Sequence, residues 1–151
     1  MNAIVLYRIA NKLYELGIPL LPKIIKGLIF LFYNSVVPYT TKIGKDSKFA
    51  YGGIGVVIHS KAIIGDKVII GQNVTIGRKL SPHGVPTIAN NVYISAGSRI
   101  LGDIRVGNNV IIGANSVVLH DVPDNSIVAG SPARVIRTIE EDVYSLLENI
   151  Y

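Results

Sequence analysis

Residues 58–77 read IHSKAIIGDKVIIGQNVTIG, and an aliphatic side chain returns every six positions, at Ile58, Ile64, Ile70 and Ile76. The beat resumes at Ile88, Ile94, Ile100, Val106, Ile112 and Val118; the gap from Ile76 to Ile88 is two periods, so the phase survives it. Two positions before many of these stands a second small or β-branched residue, as in Val68, Val74, Val92, Ser98, Ile104, Val110 and Ser116. Polar pairs such as Gln72-Asn73, Asn90-Asn91 and Asn108-Asn109 fill the remainder. A period of six fits neither the 3.6 of a helix nor the alternation of a hairpin sheet. It is the signature of a parallel β-helix built from hexapeptides, whose coils stack in register. Each hexapeptide supplies a short strand and a turn, and the turn needs positive φ, which Gly and Asn tolerate. The fold class is therefore an all-β solenoid.

Composition narrows the function. The chain has 151 residues, enough for one domain of ordinary size. Hydrophobic residues are 49 % of the chain, which excludes intrinsic disorder. Cysteine is absent, so disulfides, thiol nucleophiles and Cys-ligated metals are excluded. Fifteen basic and ten acidic residues give +5, yet no Lys/Arg-rich block or basic stripe interleaved with aromatics appears, so no nucleic-acid partner is expected. The excess suits a small phosphorylated ligand.

Outside the ladder the reading changes. Leu6, Ile9, Leu13 and Leu16 fall at helical spacing before a stop at Gly17, and Pro22 opens a second helix to about Asn34. A helical segment over 1–40 is thus expected, followed by the β-helix over 41–137 and a C-terminal helix over 138–151. Thr138, with Glu141 three residues on, reads as the capping box of that last helix, which would cover an open solenoid end. The apolar stretch 18–37 is broken by Pro19, Pro22, Lys23 and Lys26, so it is too short to span a bilayer. With no secretory cleavage pattern, the expected location is cytoplasmic, with peripheral membrane contact through 22–37. Two interruptions stand out: the nine-residue step from Phe49 to Ile58, containing Gly52-Gly53-Ile54-Gly55, and residues 78–87, RKLSPHGVPT, where Pro82 occupies a ladder slot. Extruded loops on repeat scaffolds commonly carry binding or catalysis.

The ladder, the loop, the run ISAGSRILG at 94–102 and the ending VPDNS at 122–126 with AGSPAR at 129–134 together resemble the left-handed β-helix acyltransferases, most closely serine acetyltransferase and its short relatives of surface-polysaccharide loci. The resemblance covers 42–137. It implies a homotrimer, acetyl-CoA in a groove between neighbouring prisms, and a histidine base acting on an acceptor hydroxyl. It also implies that the pantetheine arm runs past Ala96, Gly97, Ala114, Ala129 and Gly130, and that Arg134 and Arg137 meet CoA phosphates.

The residues support such chemistry by themselves. Transfer from a thioester to a hydroxyl needs a general base and donors for an oxyanion. Histidine suits the base, and the chain has His59, His83 and His120. His59 and His83, beside the two interruptions, are the candidates, with His59 expected as the base. No two histidines have the close spacing of a three-His zinc site, so no metal is expected. The glycines at 52–55 lack the strand–helix context of a dinucleotide fingerprint, and no G-x-S-x-G elbow occurs. The family's serine site pairs an aspartate and an arginine with its histidines, whereas Ile58 and Pro82 precede the histidines here. A sugar hydroxyl of a surface polysaccharide or its lipid-linked intermediate is therefore the expected acceptor, with serine the alternative unless Arg78 or Lys79 replaces the missing charge. A non-enzymatic structural β-helix is the remaining alternative, and it has little use for the loop or the AGSPAR ending.

Overall fold

The computed structural model describes residues 1–81 and 83–148. The hexapeptides wind into a three-faced prism of parallel strands. Face I stacks β1 (Lys42–Ile43), β4 (Ile63–Ile64), β7 (Thr87–Ile88) and β10 (Arg105–Val106). Face II stacks β2 (Lys48–Phe49), β5 (Val68–Ile70), β8 (Val92–Ile94), β11 (Val110–Ile112) and β13 (Ser126–Gly130). Face III stacks β3 (Val57–Ile58), β6 (Thr75–Gly77), β9 (Arg99–Leu101) and β12 (Val117–Val118). The chain visits the faces in the order I, II, III, and the coil is left-handed.

The register explains the period. On face III, Ile58 pairs with Ile76 and Ile76 with Ile100, so the six-residue beat becomes a vertical ladder of buried aliphatic side chains. Burying each such side chain is worth about 1.5–3 kcal/mol. At the edge between faces I and II the left-handed turn residues are Asp46, Lys67, Asn91, Asn109 and Asn125. The same edge carries an amide ladder: the Asn91 side chain donates to Asn109 at 2.9 Å, and Asn109 donates to Asn125 at 3.0 Å.

Helices close the first coil. α1 (Ala3–Glu15) is capped by Asn2, whose side chain accepts from the Ile4 amide and donates to the Phe49 carbonyl. Its buried face is Ala3, Ile4, Tyr7 and Ala10; Ile9 and Leu16 are exposed. The helix is therefore rotated from the expected stripe, because the small Ala3 and Ala10 allow close approach and the Tyr7 hydroxyl donates to the Thr41 carbonyl at 2.5 Å. α2 (Leu21–Tyr33) ends on Asn34 in a left-handed conformation and buries Pro22 and Ile29. Leu21, Ile24, Leu31 and Phe32 of α2 remain exposed. No helix among the described residues is long and apolar enough to cross a membrane.

The glycine-rich interruption is not an open loop. It forms a 3-10 turn (Ala50–Gly53) beneath the helices, where Gly53 is buried with φ +89° and an added Cβ would lie 2.7 Å from Phe49. The Ser35 hydroxyl donates to the Gly53 carbonyl and accepts from the Val56 amide. The extra residues seat the helical cap.

The C-terminal end also differs from expectation. Thr138 is the last residue of a strand, β14 (Ala133–Thr138), which pairs antiparallel with β13 and so covers the open edge of face II. The closing helix, α3 (Val143–Leu147), starts at Asp142, whose carboxylate accepts from the Tyr144 amide at 2.8 Å. α3 lies against the outer side of face II, where Val143 and Leu147 pack with Ile69 and Ile139. Those outward-facing apolar side chains, rather than the solenoid end, are what the helix covers.

Candidate active site

Both groups of expected site residues border face III, on opposite edges. The edge between faces III and I carries His59, the loop 78–86 and His120, because these follow β3, β6 and β12 in register. The edge between faces II and III carries Ala96, Gly97, Ala114, Ala129 and Gly130.

His59 is held from two sides. Its amide donates to the Ile76 carbonyl at 2.8 Å. Its ring Nδ1 accepts from the Lys61 amide at 3.2 Å. A neutral imidazole with one nitrogen accepting carries its proton on the other. In the neutral ring the Nε2 of His59 is therefore the donor. The ring lines a groove of about 420 Å³ beside face III. Lys26 of α2 reaches that groove, as do Tyr39, Thr40 and Thr75. Lys26 escaped the sequence reading because a lysine in an apolar helix signals only that the helix does not cross a bilayer.

The loop leans the other way. The Lys79 stem lies over Gly102, where an added Cβ would be 2.9 Å from Lys79 Cδ, and Nζ donates to the Leu119 carbonyl at 3.4 Å. Gly84 packs on Asp103 of the next coil. His83 and Arg78 are exposed. Pro82 lies outside the described residues. His59 and His83 thus share an edge on successive coils, but no hydrogen bond links them among the described residues. His120 is exposed at the C-terminal end of the same edge, where it lines a small groove with Arg134.

The opposite edge is regular. Register between β8, β11 and β13 stacks the turns after Ile94, Ile112 and Val128, which brings Ala96, Ala114 and Gly130 into one column. The Asn115 amide donates to the Ala96 carbonyl at 2.9 Å, and the Gly130 amide donates to the Ser116 hydroxyl at 3.2 Å. Gly97 is required here: its φ is +73°, and a Cβ would fall 2.0 Å from Asn115 Oδ1. Small side chains let a ligand approach the backbone closely. Arg134 pairs with Ala129 in the β13–β14 ladder and is exposed at the end of this column. Arg137 pairs with Ile127 further along and meets Glu141 at 3.7 Å. Backbone amides of Glu141 and Glu140 hold the Glu141 carboxyl below its usual range, with Arg137 adding to the effect.

Residues 86–120 match the family described as "Bacterial transferase hexapeptide (six repeats)". Its repeat and left-handed coil are similar to those of the hexapeptide-repeat transferases. Within that class its likeness is to serine acetyltransferases. It is 43 % identical to the serine acetyltransferase of Synechococcus elongatus over 137 residues, 89 % of this chain and 56 % of that one. The Vibrio cholerae serine acetyltransferase structure superposes with TM-score 0.85 at 36 % identity, covering 95 % of this chain and 56 % of that one. The Brucella abortus enzyme in complex with coenzyme A superposes with TM-score 0.84 at 33 % identity, covering 91 % and 55 %. The chain spans just over half the length of these relatives.

Proposed function

We propose that the protein transfers acetyl from acetyl-CoA to the hydroxyl of a small acceptor, with L-serine as the acceptor that its relatives support best. The observation that carries this reading is the 43 % identity to a serine acetyltransferase across 89 % of the chain. The acceptor oxygen attacks the thioester carbonyl, the C–S bond breaks, and the hydroxyl proton passes to a base and then to the departing thiolate. His83, exposed and with no described hydrogen bond at its ring, takes the base role. His59, whose Nδ1 accepts from the Lys61 amide and so leaves the neutral ring's proton on Nε2, serves as a donor to oxygen.

One chain keeps the small-residue column and the histidine edge on opposite sides of face III, so a single prism does not bring them together. In a cyclic trimer the column of one chain faces the histidine edge of the next, which makes the site a shared one. The exposed apolar side chains of α2, with Lys23 and Lys26 and no acidic residue on that helix, suit peripheral contact with an anionic membrane.

A sugar hydroxyl remains a second reading. It is favoured by Ile58, which is buried and uncharged where serine binding would use a charge beside His59. Thiol release from acetyl-CoA, measured with L-serine and with a panel of hexoses, separates the two. Serine-dependent release with negligible hexose turnover supports the first reading, and the reverse ratio supports the second.

A further inference from the structure

The groove beside His59 has a one-sided chemistry. Lys26 is the only charged side chain among its described lining residues. The hydroxyl-bearing Tyr39, Thr40, Ser60 and Thr75 line it too, with His59, whose Nδ1 accepts from the Lys61 amide and so leaves the neutral ring's proton on Nε2. No carboxylate lines the groove among the described residues. An ammonium group placed there would meet the like charge of Lys26 and no counter-charge among the described residues. A carboxylate would gain a cation and several donors, the combination that makes hydrogen bonds short and strong. Lys26 comes from α2, while His59 follows β3, so the groove lies where the helical cap meets the first coil.

We infer that this groove holds the carboxylate of the hydroxyl acceptor on Lys26 and selects hydroxy acids over amino alcohols. This rests on the acyl-transfer reading and specifies its acceptor. Glycerate, which carries a hydroxyl where serine carries its ammonium, is accepted at least as well as L-serine. L-Serinamide, which keeps the ammonium and lacks the carboxylate, is a poor acceptor.

The test compares kcat and KM for glycerate, L-serine and L-serinamide in the full-length wild type, Lys26→Gln and Lys26→Arg. Removing one partner of a charge pair at a binding site typically shows as a loss of about tenfold or more. Lys26→Gln is expected to raise KM for glycerate and L-serine by that factor, to collapse the preference for glycerate over serinamide, and to be largely rescued by Lys26→Arg. A wild type that prefers serinamide to glycerate, or a Lys26→Gln variant with an unchanged glycerate KM, overturns the inference. Should the wild type release no thiol with any acceptor, the acyl-transfer reading fails, and glycerate titration followed through the His59 ring resonances decides the groove. Shifts that depend on Lys26 support it; their absence, or shifts independent of Lys26, overturn it.

Discussion

The two edges of face III obey opposite rules. The edge between faces II and III repeats without interruption from Gly71 to Gly130, with small side chains and left-handed turns at Asn73, Gly97 and Asn115. The edge between faces III and I is broken: it takes a histidine at its first turn, extrudes an extra period at its second and packs the loop over its third. A regular edge offers a long, smooth track against which an extended ligand can lie. An irregular edge offers side chains that no repeat requires. On a solenoid, binding along the axis and chemistry at a point call for different sequences, and the function proposed above assigns them to different edges.

The largest expected effect breaks the irregular edge. His83→Ala is expected to lower kcat by about 10²–10⁴-fold, the usual share of general base catalysis, with CoA affinity retained. His59 sharpens the division of roles: His59→Gln, which keeps a donor near the Nε2 position, retains most of the activity that His59→Ala loses. Equal losses in the Gln and Ala variants would mean that His59 is the base.

The regular edge is broken next. Gly97→Val would force a β-branched residue into positive φ against Asn115, 2.0 Å from its Cβ. Backbone strain of that kind costs about 1–3 kcal/mol, and the expected outcome is a lower midpoint in chemical denaturation together with weaker CoA binding by calorimetry. Unchanged CoA affinity would remove the column from the cofactor path. Arg134→Ala leaves the backbone unstrained and touches binding alone. A charge-assisted bond is worth about 1.5–3 kcal/mol, so CoA affinity is expected to fall by about tenfold or more. Acetyl-pantetheine, which lacks the nucleotide phosphates, should bind the variant and the wild type alike.

The smallest effect lies at neither edge. Burial raises the Tyr7 phenol above its ordinary value, with the Arg8 charge pulling the other way. The folded chain therefore holds the Tyr7 proton more tightly than the unfolded chain. Its contribution is complete below the ordinary tyrosine range and is lost as pH rises through the raised folded value. Tyr7→Phe is expected to cost about 1 kcal/mol near neutrality through the lost bond to Thr41. The variant should also show a shallower loss of stability in alkaline melts than the wild type.

The prism was legible because its cause is periodic: a ladder residue every six positions leaves one way to bury them all. Both helices and the stop at Asn34 were legible from spacing and Pro22. The face that α1 buries was not, because Ala3 and Ala10 are used for close approach and a hydrophobic stripe gives them little weight. β14 was missed since its exposed mixture of Arg134, Val135, Ile136 and Arg137 has no alternation; only the unpaired edge of β13 makes it a strand. Thr138 and Glu141 mimic a capping box, but strand pairing claims Thr138 and leaves Asp142 as the cap. Among the site residues, the small-residue column and the histidines could be listed from sequence. Their separation by face III could not, because the edge a residue occupies depends on the interruptions before it. The bond from Lys61 to the His59 ring is invisible to any motif.

The claim that one site draws on two chains is tested most directly by mixing. His83→Ala chains, broken at the irregular edge, and Ala114→Trp chains, broken at the regular edge, are inactive alone on this account. Unfolded together in equal amounts and refolded, they should regain activity at about a quarter of the sites, the fraction that random assortment in a cyclic trimer leaves with both edges intact. Mixtures that stay as inactive as their parents, while light scattering shows mixed trimers, would contradict the shared site and place the whole reaction within one chain.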